Sequence, residues 1–243
     1  MESGLKILIF GASGMLGQGA VRASLLAHDV IEVIVVVRQT LALSHPKLRQ
    51  IVVDDLLDLN LHRSQLKHVS GCFFCIGARA AGMPAEAYKK FTYGLTLAVA
   101  NKLLAINERM VFIYVSRAGA DSTERNGRMW ARVRGQTENA ILRLPFANSF
   151  ILRPALVQPL HGARSKNRSC RVLYRILAPM LSLFRWIAPG AVLSTQVLGE
   201  AMLGLMRRGA PVRVLESSDI RALVLEQTKL QHASCDSAEP CDR

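Results

Sequence analysis

Apolar runs and helical stretches alternate along this chain from residue 5 to about residue 153. The runs Leu5–Phe10, Ile31–Val37, Leu48–Val53, Gly71–Ile76, Met110–Val115 and Ser149–Leu152 are short and rich in Val, Ile, Leu and Phe. Runs of that kind predict strands buried on both faces. The stretches between them predict helices over Met15–Ala27, Leu61–Val69, Pro84–Asn107 and Arg128–Leu144. Alternating strands and helices joined by right-handed crossovers give an α/β fold, a doubly wound parallel sheet of the Rossmann kind. After Arg153-Pro154 the pattern changes. A loop from Gln158 to Asn167 precedes a helical stretch, Cys170–Ala188, which Pro179 interrupts. Thr195 is the predicted N-cap of a helix running to Arg208, Val212–Leu215 reads as a late strand, and Asp219 caps a short final helix. The expected organisation is a core over 1–153, a small and mostly helical C-terminal substrate lobe over 154–229, and a polar, frayed tail over 230–243.

The first strand runs directly into Gly11-Ala12-Ser13-Gly14-Met15-Leu16-Gly17. Three glycines spaced G-x-x-G-x-x-G between a strand and a helix make a phosphate-binding turn. The first permits the tight turn, the second lets backbone approach a pyrophosphate, and the third lets helix pack on strand. The helix N-terminus then aims free N–H groups at the phosphates. A purely structural turn is the alternative reading.

Composition narrows the class. The chain has 243 residues, half of them hydrophobic, and a formal net charge of +13. That is ample material for a core and unlike a disordered chain. The charge is one-sided: residues 139–199 contain no Asp or Glu, while Arg143, Arg153, Arg164, Lys166, Arg168, Arg171, Arg175 and Arg185 lie there. Nucleic acid is a poor fit, because no recognition motif and no interleaved exposed aromatics accompany the basic run. Five cysteines show no disulfide-framework spacing. Cys72 and Cys75 form C-x-x-C inside an apolar run, and positions three apart on a strand face opposite ways, so they cannot share a metal. No metal-ligand cluster is visible, and a reducing, cytoplasmic compartment fits. The first apolar run reads as a strand rather than a cleavable leader. No uncharged apolar run reaches the roughly 18 residues that span a bilayer.

The strand ends carry the candidate chemistry. The second strand ends in Val37-Arg38 with no carboxylate nearby, and a guanidinium matches a 2′-phosphate. This favours NADP(H) over NAD(H). After the third strand come Asp54-Asp55-Leu56, an acidic residue for the adenine amino group and a leucine to line the ring. After the fourth, Gly77-Ala78 are small enough for close approach to the middle of a cofactor.

The chain resembles an atypical member of the short-chain dehydrogenase/reductase superfamily, close to the branch of Tat-interacting-protein-like and NAD-dependent-epimerase-like proteins. The carriers are G-A-S-G-M-L-G at Gly11–Gly17, D-D-L at Asp54–Leu56, Y-V-S at Tyr114–Ser116, W-A-R-V-R-G-Q-T-E at Trp130–Glu138 and L-R-P at Leu152–Pro154. The resemblance implies a nicotinamide dinucleotide and a small-molecule substrate. It implies a catalytic Ser116, and an Arg153-Pro154 segment bordering the nicotinamide. It also implies a Tyr-x-x-x-Lys pair, and here the chain departs: Trp130 stands in the Tyr slot and Arg134 in the Lys slot. The i, i+4 spacing keeps both on one helix face. Indole does not titrate, so the usual proton donor is missing. Arg134 still suits ribose hydroxyls, and it is placed to pair with Glu138 one turn on. Tyr88, Tyr93 and Tyr114 are substitute proton donors by residue type. Tyr93 lies on the helix that borders the cofactor in this family and is carried as a catalytic candidate beside a purely structural role, while Tyr114 points into packing.

Two classes of function follow. One is an oxidoreductase or epimerase-type enzyme, with Ser116 orienting a carbonyl, Arg134 on the ribose and Trp130 shaping the pocket. The other is a non-catalytic dinucleotide-binding sensor or scaffold. Arg164, Lys166, Arg168, Arg171 and Arg175 precede Ile176–Phe184, followed by Arg185-Trp186-Ile187. That pattern fits a peripheral anchor on an anionic membrane surface, and equally a helix roofing a substrate pocket. Monomer and homodimer are both compatible with the sequence.

Overall fold

In the computed structural model, residues 4–59, 62–125, 127–160 and 192–236 are described. The predicted helical stretch Cys170–Ala188 and its basic flank lie outside them.

The apolar runs form strands β1 (Leu5–Phe10), β2 (Val30–Val37), β3 (Leu48–Val52), β4 (Gly71–Phe74), β5 (Val111–Val115) and β6 (Asn148–Arg153). With β9 (Val214–Glu216) they make a seven-stranded sheet in the order β3-β2-β1-β4-β5-β6-β9. Every pairing is parallel. The order reverses between β1 and β4, the switch point outside which doubly wound sheets place their ligands. A short parallel pair, β7 (Leu156–Gln158) with β8 (Val192–Ser194), stands apart from this sheet.

Alternation along the strands explains their unbroken apolar character. Ile7, Ile9, Val33, Val35, Phe73, Ile113 and Leu152 pack on one face of the sheet. There they meet helices α1 (Met15–Leu26), α6 (Thr195–Arg208) and α7 (Ser217–Asp236). Leu8, Phe10, Ile34, Val36, Phe74, Phe112 and Tyr114 pack on the other. Helices α4 (Leu95–Ile106) and α5 (Met129–Arg143) cover that face. Both faces are dry, so neither needs a polar residue. Phe10, Phe74 and Phe112 run in a column, with successive ring centroids 5.5 and 6.0 Å apart. Cys72 joins the second face and Cys75 packs against the first, both as free thiols.

Several elements differ from the sequence reading. The stretch expected as one helix over Pro84–Asn107 is α3 (Ala85–Lys89), a π-helical turn (Lys90–Gly94) and α4. Helix α2 is a single turn, Arg63–Leu66. The cap of α6 is Ser194, whose hydroxyl accepts from the Val197 amide at 3.1 Å. Thr195 instead accepts from the Leu160 amide at 3.1 Å. The final helix is 20 residues long, so the stretch expected to fray continues as helix to Asp236. Its first turn does hold Asp219, which accepts from the Glu216 amide at 2.9 Å. No helix among the described residues is long and apolar enough to cross a membrane.

Candidate functional site

The carboxyl ends of the strands line up along one edge of the sheet. The Val53 amide donates to Val37, which sets Arg38 beside Asp54. The Cys75 amide donates to Phe10, which sets Gly11 against the segment leading to Gly77 and Ala78. The Ser116 amide donates to Leu152, and the Ala118 amide to Pro154. The predicted site residues on strand ends therefore follow one another along the carboxyl edge of the sheet, while Tyr93, Trp130 and Arg134 come from the π-helical turn and α5.

The glycine turn is built by exclusion. Gly11 has φ +78°, and a Cβ there would lie 2.8 Å from the Cys75 carbonyl. A Cβ at Gly17 would lie 2.1 Å from the Gly11 carbonyl oxygen, so any side chain would push α1 off the turn. Gly14 differs. Its φ is −84°, and a Cβ would meet only the Gly11 carbonyl oxygen, at 3.2 Å. Gly14 is the N-cap of α1 and offers no side-chain cap, and the first turn of the helix has no acidic residue. Around it, Ala12 is buried, while Ser13, Met15 and Leu16 are half-buried. The N–H groups of that first turn are left for an anion.

On the β2–β3 side, Arg38 and Asp54 are exposed. Asp55 is exposed too, but it accepts from the Leu57 amide at 2.9 Å and so shapes its own loop. Leu56 is half-buried beside it. On the β4–β5 side, Arg134 is 6% exposed and lies under Gly77, whose Cβ would sit 3.5 Å from Nη2. Its Nε donates to the Tyr88 hydroxyl at 3.1 Å. Its Nη1 is buried and has no hydrogen-bond partner. Such a donor is costly unless a ligand or water meets it. Tyr93 is half-buried in the π-helical turn, while Tyr88 is sealed at 1% exposure. Tyr114 is equally sealed, and burial pushes its hydroxyl up to about 12. It belongs to packing, as its strand position predicts.

The expected Arg134–Glu138 pair does not form. Glu138 has no exposed surface, and its carboxylate is taken by Arg153, whose Nε donates at 3.0 Å, and by the Ser116 hydroxyl. Arg153 also donates to Glu216 at 3.0 Å and to Ser122 at 2.6 Å. Burial alone would lower the pKa of Arg153, but the hydrogen bonds and charges of Glu138 and Glu216 outweigh it and hold the guanidinium above its ordinary value. The Arg153 side chain is thus spent on this network, and Pro154 beside it is buried. The Ser116 proton points at Glu138. Glu138 is thus engaged by Arg153 of β6 and not by Arg134 one helical turn before it. Trp130 is half-buried, and the exposed Arg117 guanidinium stacks over its ring, 5.1 Å from the centroid.

The group that the resemblance implies is a nicotinamide dinucleotide, and the residues present fit it. The uncapped α1 turn offers amide donors for a pyrophosphate, and the orphaned Nη1 of Arg134 offers one for a hydroxyl further along the crevice. A cavity of about 1300 Å³ between α1, residues 41–45 and α6 touches this region only at Ala12 and Ser13. Among the described residues no group of His, Cys, Asp or Glu could hold a metal.

This architecture is a Rossmann-like α/β fold, a parallel seven-stranded sheet flanked by helices, and solved structures share it. Among solved structures, a short chain dehydrogenase from Burkholderia cenocepacia in complex with NADP matches over 99% of this chain and 100% of its own, with TM-score 0.63 and 15% identity. The Bordetella bronchiseptica enzyme WbmF in complex with NAD+ matches over 95% of this chain and 79% of its own, with TM-score 0.64 and 14% identity. Uronate dehydrogenase from Agrobacterium tumefaciens matches over 99% and 92%, with TM-score 0.61 and 15% identity. In sequence, the chain is similar to the protein fmp52-1, mitochondrial, of Aspergillus terreus. The two are 28% identical over 178 residues, 71% of this chain and 74% of the relative. No protein-family model matches the chain.

Proposed function

We propose that this chain binds a nicotinamide dinucleotide, NADP(H) ahead of NAD(H), and acts on a small-molecule substrate as an oxidoreductase or epimerase-type enzyme. The observation that carries the reading is the glycine turn at the switch point, with α1 left uncapped above it. Structures of the same fold, solved with NADP and with NAD+, support it. A bound nicotinamide supplies hydride acceptance or donation. The residues of this chain hold and orient: Gly11–Gly17 for the pyrophosphate, Asp54 and Leu56 for the adenine, Gly77 and Ala78 for close approach, Arg134 for the ribose. Trp130 and Arg117 wall the substrate side.

The absent Tyr-x-x-x-Lys pair gives a second reading weight: a sensor or scaffold that binds the dinucleotide without turning it over. The Ser116 hydroxyl supports that reading, since it already donates to the buried Glu138 carboxylate and would have to give up that bond to meet a substrate carbonyl. Following NADPH absorbance over a panel of aldehydes, ketones and quinones separates the two, because the sensor reading requires binding without oxidation.

Arg38 carries the preference for NADP(H). It is exposed at the end of β2, with a carboxylate-free strand end behind it. Arg38→Ala is expected to weaken NADPH binding about tenfold and leave NADH binding unchanged, read by fluorescence titration. An unchanged ratio of the two affinities contradicts the assignment.

A further inference from the structure

We infer that Tyr88 is a positioning residue for the crevice: its hydroxyl holds the Arg134 guanidinium by Nε so that Nη1 faces a ligand hydroxyl. The inference rests on the dinucleotide reading above and deepens it.

Arg134 comes from the middle of α5 and is nearly sealed. Its obvious carboxylate partner, Glu138, is engaged by Arg153 and Ser116. What anchors Arg134 is neutral: the Tyr88 hydroxyl, 3.1 Å from Nε, carried by α3 just before the π-helical turn. Tyr88 is itself 1% exposed, so it touches the crevice only through Arg134. The guanidinium then has one edge fixed, Nη2 beside Gly77, and Nη1 without a partner.

A planar fork of five donors can be held on one side and still present fixed N–H directions on the other. An ammonium group has three donors on one freely turning nitrogen, so an anchor on one of them does not fix the directions of the others in a plane. Arginine in the lysine slot is therefore not a conservative replacement. It works as a pair with a tyrosine from a different helix.

The position along the sheet says which part of the ligand is met. Arg38 and Asp54 border the crevice at β2 and β3, whereas Arg134 lies under the loop after β4, across the switch point. A dinucleotide straddling that point puts its adenosine half over the first pair and its nicotinamide riboside over Arg134. An adenosine fragment alone does not reach it.

The test compares NADPH with 2′,5′-ADP, a fragment lacking the nicotinamide riboside, by calorimetric titration of the full chain. Tyr88→Phe is expected to weaken NADPH about tenfold and to leave 2′,5′-ADP unchanged. Arg134→Lys is expected to do the same, and to gain nothing from being the residue that the superfamily uses. Adding Tyr88→Phe to Arg134→Lys costs little more, since the ammonium has lost the second anchor already. Unchanged NADPH affinity in Tyr88→Phe overturns the inference, as does an equal loss for both ligands, which would report general loosening of the fold. Should Tyr88→Phe not fold, the same split in Arg134→Lys decides. Wild type that binds neither ligand overturns the dinucleotide reading together with this one.

Discussion

Glu138 shows how single residues decide what the site can do. Its carboxylate has no exposed surface, and it is satisfied by Arg153 and Ser116. Removing one partner of a buried pair strands the other. Glu138→Ala is expected to cost about 3 kcal/mol, measured by urea unfolding, because Arg153 keeps only Glu216 and Ser122. A loss below about 1 kcal/mol would mean that Arg153 repairs itself. Residue identity was legible in the sequence here, and partner choice was not. Helical spacing brings Arg134 and Glu138 to one face, but the strand arginine reaches the same carboxylate across the β6–α5 contact, and only tertiary structure reveals that. The same holds for Tyr88. Tyr88 was one of three tyrosines singled out by type as proton donors, whereas its contact with Arg134 joins α3 to α5 and follows from no spacing in the sequence.

At the scale of elements, the strands with apolar runs were readable to within two residues at each end, since runs as short and as rich in β-branched and aromatic residues as Ile31–Val37 and Met110–Val115 suit strands better than helices. The π-helical turn at Lys90–Gly94 was not readable, because its apolar period is close to that of the helix it interrupts. The cap of α6 was missed by one residue. Ser194 and Thr195 both have cap chemistry, and the choice depends on Leu160, which engages Thr195 from a segment far away in sequence. Ser194→Ala is expected to lower stability by about 1 kcal/mol, seen as a fall of a few degrees in thermal midpoint. No change would mean that water caps the Val197 amide equally well.

For the whole molecule, the sheet order places the glycine turn at the one point where a crevice must open, and the two core layers hold that turn from both sides. The fold class was legible because alternation and the glycine spacing constrain it independently. The return of the chain through α6 to β9 completes the sheet beyond β6 and lay in a segment whose sequence pattern is weaker.

Gly14 separates a phosphate-binding turn from a merely structural one. Its φ of −84° suits any residue, and a Cβ there needs the Gly11 carbonyl, 3.2 Å away, to yield by a few tenths of an ångström. Asp at an N-cap stabilises a helix start. The same carboxylate would stand where a pyrophosphate is bound and repel it. Titrating NADPH into wild type and Gly14→Asp by fluorescence, with thermal midpoints measured on both, is therefore the most direct measurement. Saturable binding by wild type, and at least a hundredfold loss in a variant that melts no lower, is the result predicted. Equal binding by the two proteins, or none by wild type, would contradict the account.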